Sequence, residues 1–132
     1  MQPPADLPAQ QCVAQLLAEA QRLGVQIRWQ QPSPQPLVAT YHAQAGQPGT
    51  LVLPTGDPPP STTQLCTLLT HEMVHVLQHW RGHFQAVLPL GWPTDGVPAS
   101  PVPPHEAEAF TAQGDPQRVL NALRQLQPPP PR

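Results

Sequence analysis

A small α+β domain is the fold class this sequence predicts, on three observations. Apolar residues recur at spacings of three and four near residues 9–23, 61–81, 105–113 and 115–126. Short alternating or β-rich runs lie between the first two of these stretches. Prolines and glycines gather at the joints, where they end or redirect elements.

The elements follow in chain order. Residues 9–23 place Cys12, Val13, Leu16, Leu17, Ala20 and Leu23 at helical spacing and stop at Gly24. A strand is expected from Val25 to Gln30, where Val25, Ile27 and Trp29 alternate with Gln26, Arg28 and Gln30. Leu37 to Ala43 and Thr50 to Leu53 are two further extended candidates, joined by a turn over Gly46 to Gly49 as a hairpin. That makes a sheet of about three strands. After Pro58 to Pro60, which cannot carry a helix onward, Ser61, Thr62 or Thr63 can cap a long helix. Its apolar stripe is Leu65, Leu69, Met73, Val76 and Trp80, and it breaks at Gly82. Residues 82–104 hold too much Gly and Pro for regular structure and are read as a long loop forming a wall of the active site. A short helix over 105–113 follows, and Asp115 with Pro116 starts a last one through Leu126.

At 132 residues and 14.3 kDa the chain is expected to be one domain, with proline-rich frayed ends at about 1–8 and 127–132. Net charge is −2 and all six basic residues are Arg, so the basic footprint of a nucleic-acid binder is missing. No run approaches the roughly 20 apolar residues of a membrane span, and MQPPADLPAQ lacks the pattern of a signal peptide, so a cytoplasmic protein without membrane or nucleic-acid partners is expected. Cys12 and Cys66 stand alone in predicted helices, without a C-x-x-C, and are expected to be buried and reduced. Neither oligomeric state nor substrate specificity is legible here.

The chemistry concentrates in the long helix, where His71-Glu72-Met73-Val74-His75 forms H-E-x-x-H. Residues four apart lie on one helical face one turn up, so both imidazoles can reach one ion, and zinc is the ion this pattern serves. Glu72 projects about 100° around the helix from His71. There it reaches an attacking water without ligating the metal, which is the position of a general base. A catalytic zinc takes three protein ligands and keeps a fourth position open. His79 extends the row, but it lies about 12 Å along the axis from His71 at about 1.5 Å per residue, too far for one ion. Glu106, Glu108 and His83 compete for the third place. The metzincin pattern H-E-x-x-H-x-x-G-x-x-H is not met, because Gly82 stands seven residues after His75.

HEMVH followed by a glutamate on a downstream helix resembles the gluzincin branch of the zincin metallopeptidases, over roughly residues 50–113. Glu106-Ala107-Glu108-Ala109 matches that group's E-x-x-A form. The resemblance implies a zincin-like fold, zinc held by His71, His75 and Glu106, and an edge strand at Thr50 to Leu53 that pairs with an extended substrate. Where the group's other form, E-x-x-x-D, carries an acid, this chain has Phe110, which leaves Glu108 or a backbone carbonyl to orient a ligand histidine. RGHF at Arg81 to Phe84 is faintly similar to the SprT-like peptidases, whose later histidine lies further downstream.

The expected activity is zinc-dependent hydrolysis of a peptide or protein, most simply as an endopeptidase, with Tyr41, His79 and His83 as candidates for stabilising the oxyanion. Two alternatives remain. A zinc-stabilised binding module would keep the ligands without turnover, and a plain helical interaction protein would bind no metal.

Overall fold

The computed structural model describes residues 7–30, 38–56, 58–97 and 102–130. The expected frayed ends lie partly outside these, at 1–6 and 131–132. Among the described residues the elements run α1 (Ala9–Arg22), β1 (Gln26–Gln30), β2 (Thr40–Gln44), β3 (Gln47–Pro54), α2 (Thr62–Arg81), α3 (Pro104–Ala112) and α4 (Pro116–Leu123). Four helices with a three-stranded sheet make this the small α+β domain that the sequence predicts.

α2 organises the rest. Ser61 begins it with a capping box: its hydroxyl accepts from Gln64 N at 3.0 Å, and Gln64 Oε1 accepts from Ser61 N at 2.9 Å. The helix packs against α1 and α3, and also touches α4, β2 and β3. Leu69, Met73, Val74 and Val76 are fully buried in one cluster with Leu16 of α1, Leu51 of β3 and Leu120 of α4. At the far end Gly82 has φ −82°, so it is not a left-handed cap. Glycine is required there by proximity: a Cβ would stand 1.9 Å from Ala86 O. The reversal is made by His83 and Phe84, at φ 54° and 63°. Their left-handed backbone is held by Phe84 N donating to His79 O and by the Phe84 ring packing on Trp80.

Strand order is β1-β3-β2, with β1 parallel and β2 antiparallel to β3. The β2–β3 hairpin forms as expected, but its turn is the pair Ala45–Gly46, with Gly46 at φ +78°, and β3 already begins at Gln47. This overturns one expectation: Thr50 to Leu53 belong to the central strand and pair on both sides, so they are not an edge. The reason lies in the side chains. Leu51 and Leu53 are fully buried under the helices, whereas β1 and β2 carry mostly exposed polar residues. β2 is the edge strand next to α2.

The expectation of two reduced thiols is also corrected. Cys12 of α1 and Cys66 of α2 form a disulfide, with their Cα atoms 5.7 Å apart. Each cysteine sits on the buried face of its own helix, and packing α1 on α2 brings those faces together. Asp115 and Pro116 start α4 as expected, with Asp115 accepting from Arg118 N. The helix stops at Leu123, three residues early, and passes into i→i+3 turns in which Gln125 N donates to Ala122 O and Leu126 N to Leu123 O, while Arg22 of α1 donates to the carbonyls of Leu123 and Leu126 that the helix end leaves open.

Candidate metal centre

His71 and His75 stand one turn apart on α2, with ring centroids 5.2 Å apart. α3 crosses beside them and brings Glu106 from its first turn. Glu106 Oε1 lies 3.5 Å from His71 Nε2 and 2.5 Å from His75 Nε2. One donor atom from each of the three residues lies within 4.8 Å of the others, so the group is able to hold a metal ion. Two imidazole nitrogens and one carboxylate oxygen suit a borderline divalent cation, zinc among several.

Each imidazole is oriented through its other nitrogen. His71 Nδ1 lies 2.9 Å from Gln113 Oε1, and His75 Nδ1 lies 2.8 Å from Gln78 Oε1. An amide oxygen only accepts, so each Nδ1 carries the proton and each Nε2 turns a lone pair toward Glu106. Phe110 packs edge-on against the His71 ring, with centroids 4.8 Å apart, and the direct partners of the two ligand histidines are Gln113 and Gln78 rather than the expected Glu108 or a backbone carbonyl. Burial lowers the His75 pKa, against the opposing pull of the Gln78 hydrogen bond and the Glu106 charge. The ring therefore stays neutral and available as a ligand.

Glu72 is beside the group rather than in it: its Oε2 is 4.0 Å from His71 Nε2. Burial raises its pKa from 4.5 to about 8, the Glu106 charge adds to the rise, and a hydrogen bond from the Tyr41 backbone opposes it. A cation on the adjacent ligands acts in the opposite direction and favours the ionised form.

The remaining predicted site residues divide sharply. Glu108 is not a ligand. It is 1% exposed, and both carboxyl oxygens are consumed by four donors. His83 is exposed at the end of α2 and belongs neither to the ligand group nor to the cleft wall. His79 is 1% exposed, with Nδ1 on the Tyr41 hydroxyl at 2.7 Å and Nε2 on Gln44 O at 2.9 Å. Because Gln44 O can only accept, Nε2 carries the proton and the Tyr41 hydroxyl donates to Nδ1. The same hydroxyl accepts from Gly49 N at 2.9 Å. Burial pushes the Tyr41 pKa up to about 12, with the Gly49 N–H opposing. None of the three expected oxyanion stabilisers thus has a proton to offer toward the ligands.

The ligands open into a cleft of about 320 Å³ lined by Ala39, Thr40, Tyr41, His71, Glu72, His75, Val87, His105 and Glu106. Val87 comes from the long loop, which contributes that residue to the lining of the cleft. A larger cavity of about 740 Å³ lies elsewhere and contains none of the ligands. Three contributors went unread in the sequence. Gln78 falls three residues after His75, and Gln113 falls seven after Glu106, both helical spacings that were available to see. His105, at the start of the predicted 105–113 helix, lines the cleft with its ring 5.9 Å from that of His75. Comparison with protein-family models, curated proteins and solved structures finds no match for this chain.

Proposed function

We propose that this protein is a zinc-dependent peptide hydrolase of the gluzincin type, with His71, His75 and Glu106 as ligands and Glu72 as general base. One observation carries the reading: three donors converge from two helices while a fourth side chain, the buried carboxyl of Glu72, stands next to them without joining them. Bound zinc supplies Lewis acidity, polarising the scissile carbonyl and lowering the pKa of a water toward about 7. Glu72 takes a proton from the attacking water and passes it to the leaving amine. In this reading His105 donates to the oxyanion, supported by its place in the cleft lining and by the engagement of Tyr41 and His79 with each other. The edge strand β2, whose Thr40 and Tyr41 line the cleft, takes the substrate in extended form.

Among the described residues no helix is long and apolar enough to cross a membrane. The Cys12–Cys66 bond favours an oxidising compartment over the cytoplasm, where thiols are kept reduced.

The test measures metal content and hydrolysis together. Purified protein should carry one zinc per chain and cleave a denatured protein or peptide library; chelation should abolish cleavage and zinc should restore it. Failure to take up zinc on addition would sink the reading. A zinc-stabilised binding module is the second reading, favoured by the internal engagement of Tyr41 and His79. It predicts zinc uptake without turnover.

A further inference from the structure

The most deeply buried acid among the described residues has no part in the reaction proposed above. Glu108 Oε1 accepts from Gln78 Nε2 at 2.9 Å and from Leu90 N at 2.8 Å; Oε2 accepts from Gly91 N at 2.6 Å and from Trp92 N at 2.9 Å. Four donors and no acceptor leave the carboxyl as an acceptor only. Three successive backbone N–H groups of the long loop close around it, and the loop is further fixed by Arg118 stacked over Trp92 at 4.3 Å.

The fourth donor carries the consequence. A glutamine amide can present either its oxygen or its nitrogen to a neighbour, and its network decides which. Gln78 Nε2 faces two acceptors, Glu108 Oε1 and His105 O, both at 2.9 Å. Neither can donate. The amide nitrogen must therefore point at them, and Oε1 must point at His75 Nδ1, 2.8 Å away. That fixes the proton on Nδ1 and the free lone pair on Nε2, the atom that faces Glu106. The same carboxyl holds the Leu90–Trp92 segment of the loop, and the same amide holds the backbone at His105.

We infer that Glu108 and Gln78 are positioning residues, a relay in which the buried carboxyl sets the amide and the amide sets the tautomer of His75 for metal binding. His71 provides an internal comparison. Its partner Gln113 shows no bond from its amide nitrogen to a second acceptor among the described residues, so His71 is oriented without such an anchor.

The inference rests on the metal reading, and its test separates the two. Long-range proton–nitrogen correlation spectra of the ¹⁵N-labelled, metal-free full chain at neutral pH report the tautomer of each histidine. Wild type should show His75 as the Nδ1–H form. Gln78→Met, which replaces a buried side chain with an apolar one of similar length, should lose that preference at His75 while His71 keeps its own. Glu108→Gln, which brings a donor into a site of donors, should do the same. In both variants the zinc Kd should rise by about 10- to 100-fold. A merely structural role would lower thermal stability without moving the His75 nitrogen shifts. Should Glu108→Gln not fold, Gln78→Met decides alone. An unchanged His75 tautomer in folded Gln78→Met, or a zinc Kd within twofold of wild type, overturns the relay. If wild type takes up no zinc, the metal reading falls, and the tautomer in metal-free protein still decides the relay.

Discussion

Gln113 Oε1 lies 2.9 Å from His71 Nδ1, and Gln113 closes the helix that Glu106 opens. Seven residues are about two helical turns, so Glu106 and Gln113 share one face of α3. That face meets the α2 face bearing His71 and His75. The site is therefore a property of the α2–α3 contact, and α3 supplies both a ligand and a group that orients one.

Substitution of the competing third ligands should separate them cleanly. Glu106→Ala removes a ligand and should weaken zinc binding beyond the about 10- to 100-fold typical of losing an orienting partner. His83→Ala, at an exposed position outside the group, should leave affinity unchanged. Glu108→Ala strips the acceptors from Gln78 Nε2 and from Leu90, Gly91 and Trp92 N–H; it should destabilise the fold, at about 1–3 kcal/mol for each donor left buried, and through Gln78 it should weaken zinc binding by about 10- to 100-fold, less than the loss of Glu106 does. Zinc titration and thermal unfolding of the three variants provide the check. Wild-type affinity in Glu106→Ala would remove it from the ligand set.

The Cys12–Cys66 bond closes a loop of 54 residues and joins the first helix to the ligand-bearing one. Chain-entropy arguments give such a loop about 4 kcal/mol of stabilisation. Reduction, or a Cys12→Ala/Cys66→Ala double variant, should lower the unfolding midpoint accordingly while the ligands keep their places. Thiol counting in native protein should find no free cysteine until a reductant is added. Two titratable thiols in untreated protein would remove this bond and the oxidising compartment it favours.

Local patterns were readable wherever they alone fix the outcome. The S-T-T-Q cap of α2, the His71–His75 spacing, the Asp115–Pro116 start of α4 and the apolar stripes all act within one or two turns. What escaped depends on packing between distant segments. Cys12 and Cys66 meet only because α1 lies on α2. Thr50 to Leu53 become central only when β1 adds in parallel across an intervening hairpin. Arg22 reaches the end of α4 from about a hundred residues away in sequence. His79 and Glu108 looked like ligand or oxyanion candidates because their side chains suit chemistry; burial with complete sets of partners keeps both from facing the metal. Gln78 and Gln113 are the converse, neutral side chains whose spacing carried a signal that their residue type concealed.

Acid should weaken the metal-free fold in part through His79. Burial lowers its pKa below 6.5, outweighing the backbone hydrogen bonds of Gln44 and Phe84. Its folded pKa lies below the unfolded one, so the unfolded chain takes up the proton first, and stability present above pH 6.5 is lost as pH falls below it. Protonation would also place a proton on Nδ1, where the Tyr41 hydroxyl donates. His75, lowered in the same direction, adds to the slope in metal-free protein. His79→Gln, which cannot take up a proton, should have a shallower decline than wild type. Parallel stability curves for the two proteins below pH 6.5 would acquit His79.

Glu72→Gln isolates the proposed base from the proposed ligands. Glu72 makes no contact that holds His71 or His75 in place, since both are oriented through Nδ1 by glutamines. An amide of the same size still accepts from the Tyr41 backbone through its oxygen, so fold and zinc content should be those of wild type. It cannot take the proton of an attacking water, and turnover should fall by about 10²- to 10⁴-fold, the usual worth of a general base. Replacing a buried ionisable group with a neutral one also removes a desolvation cost, so the metal-free variant should be more stable than wild type toward alkaline pH. The gain should shrink as pH falls from about 8 to 4.5, where wild type takes up the proton and both side chains are neutral. Cleavage of a peptide library, zinc content and unfolding at several pH values are measured on the same preparations. Equal turnover in the two proteins would strike Glu72 from the mechanism, whereas zinc retained without turnover in either would favour the binding module.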